Sequence, residues 1–174
     1  MIKYLYYIIL SLFLVLIAYS LLPVSGSLSN LNIILVFLVI TTIIFGFNQG
    51  FIFAVIIGFL MNYYSFFPFG TFILIFLLII WLVDFLYKHV LINFSIYSNI
   101  ILIIVSTLLY SFFIILFNYI FYLLGLIKFY ILLDKIFLSS LFWQLGLNML
   151  LMIILFFLAK ITIKRLNIVF LLKK

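Results

Sequence analysis

The run ILIFLLIIWLV, from Ile73 to Val83, is apolar on every side and restricts the fold of this chain more than any other feature. In lipid, backbone polar groups must be paired within the protein, so only helices and closed β-barrels cross a membrane. Strands of such a barrel alternate apolar and polar residues. Because this run does not alternate, the sequence predicts membrane-spanning helices and an all-α fold.

The composition extends that prediction to the whole chain. Hydrophobic residues make up 72% of the 174 residues and charged residues 6%, which is too little polar surface to cover a water-soluble core. A spanning helix needs about 20 mostly apolar residues, so the chain has room for roughly five to seven spans. We expect residues 1–174 to form a single integral-membrane domain.

Five breaks divide the apolar sequence, at residues 23–30, 46–50, 67–70, 88–98 and 125–135. The six predicted spans are Tyr4–Leu22, Leu31–Phe47, Gly50–Phe66, Thr71–Val90, Tyr97–Leu124 and Ile136–Lys160, followed by a basic tail over residues 161–174. The first span has the outline of a secretory signal, but it is longer than a usual signal core and we predict that it is retained. Residues 126–137 form either a loop or an amphipathic segment lying flat on the membrane.

Basic residues predict the orientation, because lysine and arginine concentrate on the cytoplasmic side of membrane proteins. Much of the net charge of +7 lies near the C-terminus, in Lys160, Lys164, Arg165, Lys173 and Lys174. With six spans both termini are cytoplasmic and the chain is a multi-pass protein of the cytoplasmic membrane. Basic residues beside a span contact lipid headgroups, so we expect membrane lipids and no nucleic acid as partners.

The third predicted span carries small residues at intervals of four. The series is Gly46, Gly50, Ala54, Gly58 and Asn62. Small residues at this spacing let another helix approach closely, which is how helices associate in lipid. Asn62 is therefore predicted to face a helix-packing or partner interface; the alternatives are a ligand contact or an amide bonded at the helix end. Pro68 and Gly70 predict a tight reversal after this span.

The segment from Asn30 to Leu86 resembles the bacterial rod-shape-determining MreD family. In that family a second span opening with Pro-x-Leu runs into an Arg-Gly turn, and a glycine-spaced third span ends in Gly-x-x-x-Asp before a Ser and a Pro/Leu-Gly turn. This chain has LNIILVFLV, then FNQG ending at Gly50, then Gly58, Asn62, Ser65 and the turn FPFG. The proline is absent, Asn48 or Gln49 replaces the arginine, and Asn62 replaces the aspartate.

The resemblance implies a membrane protein of about six spans that takes part in cell-wall elongation and cell shape without being an enzyme. It implies association with an MreC-like protein, and through it with cell-wall synthases and the MreB filament. MreD proteins also resemble, in fold, the substrate-binding components of energy-coupling-factor vitamin transporters.

Other polar residues lie within or beside the predicted spans. Asp84 and Lys88 are four residues apart, an order and spacing suited to an ion pair on one helix face. An intramembrane acid is also a candidate for partner binding or transport. Gln144 and Asn148 share the same spacing and are able to bond across helices. The fifth span has similar polar pairs, Ser106 with Tyr110 and Thr107 with Ser111.

The residues for enzyme chemistry are scarce. The chain has no cysteine, one histidine and two acidic residues, both aspartates, so we expect no catalytic residues, no metal and no cofactor. A scaffold that holds other membrane proteins is the leading hypothesis. The alternative is the substrate-binding component of a small-molecule transporter, in which Asn62, Asp84, Gln144 and Asn148 would converge on a cavity.

Overall fold

A computed structural model describes residues 2–21, 23–91, 95–129, 131 and 134–171. For residues 2–6, 21, 23–25, 27 and 162–171 it describes the backbone only. The described residues contain no strand. They form six α-helices: α1 (Ile2–Leu16), α2 (Ile33–Phe45), α3 (Phe47–Tyr63), α4 (Thr71–His89), α5 (Ile96–Leu123) and α6 (Lys135–Leu171). The prediction of an all-α fold is confirmed for this part of the chain.

Three helices are long and apolar enough to cross a membrane, within the residues that the structure describes. They are Thr71–His89, Ile96–Leu123 and the part of α6 over Lys135–Ile161. The apolar helical stretches of the first three segments are shorter, at Tyr7–Ser20, Ile33–Phe45 and Phe47–Tyr63. These helices indicate a membrane protein, whereas the count of six spans and the orientation remain predictions.

The first predicted span is not one regular helix. Helix α1 ends at Leu16 and continues as a π-helical turn, Ile17–Leu21. The hydroxyl of Ser20 donates a hydrogen bond to the carbonyl oxygen of Leu16, 2.5 Å away, as serine does when it bonds one turn back. The break predicted after it is itself helical, a 3₁₀ helix over Pro23–Asn30. Leu22 lies outside the described residues.

The second break is narrower than predicted. Helix α3 begins at Phe47, so Asn48, Gln49 and Gly50 belong to its first turn and do not form a loop. Gly46 alone separates α2 from α3, and its φ of +83° is a conformation that glycine adopts without steric cost. A one-residue connection with a left-handed φ reverses the chain, and composition alone does not distinguish it from a five-residue turn.

The C-terminal half departs from prediction at α6. Helix α5 runs its full 28 residues, close to the predicted fifth span. Where the chain between α5 and α6 is described, residues 126–129, 131 and 134 are not helical, and α6 begins at Lys135; whether this segment lies on the membrane stays a prediction. Helix α6 also continues to Leu171, so the first part of the predicted tail is helical because no proline or glycine follows Gly146 to end it.

Helix α2 is the centre of the bundle and packs against each of the other five helices. Nine of its thirteen residues are buried, and Leu35, Val36 and Val39 are completely enclosed. A helix that is apolar all round is expected to be buried on all sides. The sequence IILVFLVITTIIF therefore suits a central position.

Helices α3 and α4 form the most extensive helix pair. The fit is closest at Gly58, where a Cβ atom would lie 2.8 Å from both the Cα and the backbone nitrogen of Ile73. Backbone atoms cannot move aside as a flexible side chain does. Glycine at position 58 is therefore required for the observed distance between the two helices.

Replacing Gly58 with leucine is expected to destabilise the folded protein by about 1–3 kcal/mol, because the new side chain forces the α3 and α4 backbones apart. The matched control is Gly146→Leu in α6, where an added Cβ meets no atom within 4 Å. Thermal unfolding of the purified protein in detergent measures both variants. Equal stability of the two variants would show that the close approach at Ile73 does not hold the pair together.

Candidate functional site

The small-residue face of α3 packs inside the chain. Gly50 lies against the side chain of Thr42 in α2, and Gly58 lies against the backbone of α4. Ala54, between them, is completely buried. Gly46 does not share this face, because it occupies the turn before α3. The face is therefore covered by α2 and α4 and is not open to a second protein.

Asn62 joins the end of α3 to the start of α4. Its side-chain oxygen accepts a hydrogen bond from the backbone N–H of Phe72, 3.2 Å away, and the side chain is buried. This bond satisfies one of the free N–H groups in the first turn of α4. In the same turn the carbonyl of Pro68 accepts bonds from the N–H and the hydroxyl of Thr71, and Gly70 has a φ of +95°.

Asn148 links three segments at the centre of the bundle. Its side-chain oxygen accepts a bond from the backbone N–H of Asn32 at 3.0 Å, and its amide nitrogen donates to the hydroxyl of Thr107 at 3.0 Å. Asn32 in turn caps α2 through a bond from the N–H of Leu35. Asn148 is completely buried, so its bond to Thr107 forms in a low-dielectric interior, whereas the two bonds of Asn32 are partly buried.

A polar cavity of about 300 Å³ lies at this end of the bundle, next to the start of α2. The polar residues that line it are Tyr19, Ser29, Asn30, Asn32, Tyr110, Ser140 and Gln144. Its apolar lining includes Ile33, Ile34 and Met61. The hydroxyl of Tyr110 lies beside the side chain of Asn32. Hydrogen-bonding side chains from four segments therefore converge within an otherwise apolar protein.

The short length of α2 explains why a cavity forms here. Thirteen residues of α-helix extend about 20 Å, whereas the hydrocarbon core of a bilayer is about 30 Å thick. The neighbouring helices α5 and α6 are much longer and continue past the start of α2. The 3₁₀ segment Pro23–Asn30 leads into this space, and the polar cavity occupies what remains.

The predicted polar residues are divided between different places. Gln144 lines the cavity, and Asn148 lies one helical turn further along α6. Asp84 and Lys88 are distant from the cavity, near the last turn of α4, and form an exposed ion pair with an N–O distance of 2.7 Å. Together with Asn62 at the α3–α4 turn, these residues do not converge on one site.

The basic residues predicted to contact lipid are only partly described. Lys160 is exposed on α6. Lys164 and Arg165 lie in the helical backbone of α6 beyond the described side chains, and Lys173 and Lys174 lie outside the described residues.

Several cavity residues were not predicted. Tyr19, Ser29, Asn32 and Ser140 stand out in the structure, whereas Asn30 was predicted only as part of a break. The signal that points to Ser29 and Asn32 is the polar string SLSNLN directly before a mostly apolar helix; no comparable signal marks Tyr19 or Ser140. Such a string supplies a helix cap, and when the helix is short and central its polar groups lie inside the bundle.

The cavity carries hydrogen-bond donors and acceptors but no charged side chain. This lining suits an uncharged polar molecule or the polar portion of an amphiphile. Among the described residues, no group of three histidine, cysteine or acidic side chains is placed to hold a metal ion. Comparison of the chain with protein-family models, curated proteins and solved structures finds no match.

Replacing Asn148 with leucine is expected to lower the free energy of unfolding by about 1–3 kcal/mol. Interhelical hydrogen bonds in membranes average about 0.6 kcal/mol, and the substitution also leaves the Asn32 N–H buried without an acceptor. Gln144→Leu, one turn away on the same helix, is the control and is expected to leave stability nearly unchanged. Chemical unfolding in mixed micelles measures the difference, and equal loss in both variants would contradict a structural role specific to Asn148.

Proposed function

We propose that this chain is a non-enzymatic scaffold of the bacterial cell-wall elongation machinery, similar to MreD. In this proposal it crosses the cytoplasmic membrane six times with both termini in the cytoplasm. Its partners are an MreC-like membrane protein and, through it, the cell-wall synthases.

The observation that carries the proposal is the role of the residues on which the MreD resemblance is based. Gly50 and Gly58 set close helix contacts, Asn62 caps α4, and Gly70 provides the left-handed turn between α3 and α4. Each of these residues contributes to the contacts or the turn that join α2, α3 and α4 into one unit. None of them lines the polar cavity. A motif whose members shape a rigid surface is what a scaffold requires.

The unit of α2–α4 presents an outward stripe along α4. Its exposed residues are Leu74, Leu78, Trp81 and Phe85. These residues recur at intervals of three and four and therefore follow one helix face. The opposite face of α4, including Ile75, Phe76 and Ile79, is buried in the bundle. We infer that the exposed α4 stripe contacts the transmembrane helix of the MreC-like partner.

A photoreactive amino acid at position 78 or 81 tests this inference. The chain is co-expressed with the MreC-like protein of the same source, and the membranes are irradiated. We expect a crosslinked adduct that mass spectrometry identifies as the two proteins, because the probe lies on the exposed α4 stripe.

Position 154 on α6 is the matched control, since Ile154 is also exposed but lies on a different helix. Adducts from positions 78 and 81 and none from 154 would support the α4 interface. Equal adducts from all three positions would indicate random collision. Absence of any adduct with the MreC-like protein would contradict the proposed partner.

The polar cavity favours a second candidate function, a membrane component that captures a small molecule for a vitamin-type transporter. At about 300 Å³ the cavity is at the lower end of the size range of ligand sites, and it combines several polar groups with an apolar lining. In this candidate function Gln144 and Tyr110 hydrogen-bond the ligand.

A thermal-shift screen of the purified protein against water-soluble vitamins tests the second candidate. Binding raises the unfolding temperature in a saturable manner, because a ligand that binds only the folded state stabilises it. If the cavity is the site, Gln144→Leu is expected to remove the shift while leaving the unliganded protein intact. A shift that Gln144→Leu does not alter would place the ligand elsewhere, and no shift with any vitamin would count against this candidate.

A further inference from the structure

Helix α6 borders two further depressions beside the polar cavity. A second depression adjoins it, sharing Asn30 and Ser140 and adding Lys135, Ser139 and Trp143. A third depression follows on the same helix, sharing Lys135, Ser139 and Trp143. The three depressions share lining residues and lie side by side on α6, and we call this shared surface the α6 trough.

The inner end of the trough offers hydrogen bonds. Asn30 and Ser140 line both inner depressions, and the first turn of α2, at Ile33 and Ile34, borders the cavity. The start of a helix carries partial positive charge from its free N–H groups. The hydroxyl of Ser140 donates to the carbonyl of Phe137, so the donor that remains in this part of the trough is the side-chain amide of Asn30.

The trough carries a positive charge at the first residue of α6. Lys135 is the only charged residue that lines these three depressions, and it is exposed. The neighbouring Asp134 accepts a bond from the N–H of Phe137 and so caps α6. Within the described part of the chain, Lys135 forms no ion pair. Its ammonium group is therefore free to bind an external anion.

Toward Gly146 the trough is apolar and exposed. Leu138, Phe142 and Trp143 are exposed there, and Gly146 leaves a gap because no atom lies within 4 Å of where its side chain would be. From Lys135 to Gly146 the helix rises about 17 Å. One leaflet of the hydrocarbon core is about 15 Å thick, so this length fits one acyl chain.

We propose that the α6 trough binds an anionic phospholipid. The lipid phosphate contacts the ammonium group of Lys135 and the side-chain amide N–H of Asn30, and one acyl chain lies over Phe142, Trp143 and Gly146. Charge complementarity identifies the headgroup as anionic, and the polar-to-apolar order along α6 identifies the ligand as an amphiphile. This site does not depend on the proposed scaffold function, since it uses α6 and not the exposed α4 stripe.

The two tryptophans provide the test. Trp143 lies in the trough, whereas Trp81 lies on the outer face of α4. Trp143 is about 12 Å from the start of α6, and Trp81 is about 12 Å from the end of α4. Single-tryptophan proteins, Trp81→Phe and Trp143→Phe, are reconstituted in phosphatidylcholine bilayers with a minor fraction of acyl-brominated phosphatidylglycerol. Bromine quenches tryptophan fluorescence only at close range.

We expect the quenching of Trp143 to correspond to an about five-fold enrichment of brominated phosphatidylglycerol around it. This is the preference for an anionic lipid that one lysine near the membrane surface provides. Trp81 should report the bulk composition. Brominated phosphatidylcholine in place of the anionic lipid should quench both tryptophans equally. Enrichment at neither tryptophan, or equal enrichment at both, would overturn the proposal.

Matched variants separate the parts of the site. Lys135→Gln should remove the enrichment, whereas Lys128→Gln, at the same end of the bundle but outside the trough, should keep it. Gly146→Leu should reduce the enrichment by filling the acyl-chain gap without disturbing the fold. Loss of enrichment on adding soluble glycerol phosphate would show that the trough binds a free phosphate and not a lipid, and would contradict the proposal.

Discussion

The enclosure of helix α2 is the constraint on which the rest of the structure depends. In lipid, apolar side chains gain little by leaving the surroundings for a protein interior, so helix association relies on close packing and on satisfied polar groups. Helix α2 is packed by five neighbours, and its first turn is bonded by Asn32 and Asn148. Because α2 is also shorter than the bilayer is thick, its start lies inside the bundle and a polar cavity forms there.

Two kinds of contact hold this centre together. On one side, glycines let backbones meet: Gly50 lies against α2 and Gly58 lies against α4. On the other side, a buried amide in α6 reaches both α2 and α5 through two hydrogen bonds. The glycine side carries the residues of the MreD resemblance and supports the proposed scaffold function. The amide side borders the polar cavity, through Asn32 and the neighbouring Gln144.

The sequence predicted the fold class because uninterrupted apolar runs leave the backbone no alternative to helices. The predicted ends of α4 and α5 agree with the structure to about one residue, because both helices are bounded by strong polar or glycine signals. The sequence misplaced the start of α3, because FNQG has turn composition but only Gly46 has a left-handed φ. The cavity was not predictable, because it depends on α2 being central, and the contact between Asn32 and the buried Asn148 follows from three-dimensional packing and not from spacing.

The central claim is that the middle of α2, around Val36 and Val39, is enclosed by protein. Solid-state NMR of the protein in bilayers tests it through magnetisation transfer from lipid acyl protons to side-chain methyl groups. Transfer should be absent at Val36 and Val39 of α2 and strong at Ile101 and Ile154, which are exposed on α5 and α6. Transfer to the α2 valines as strong as to the two exposed isoleucines would mean that α2 faces lipid, and would contradict the account.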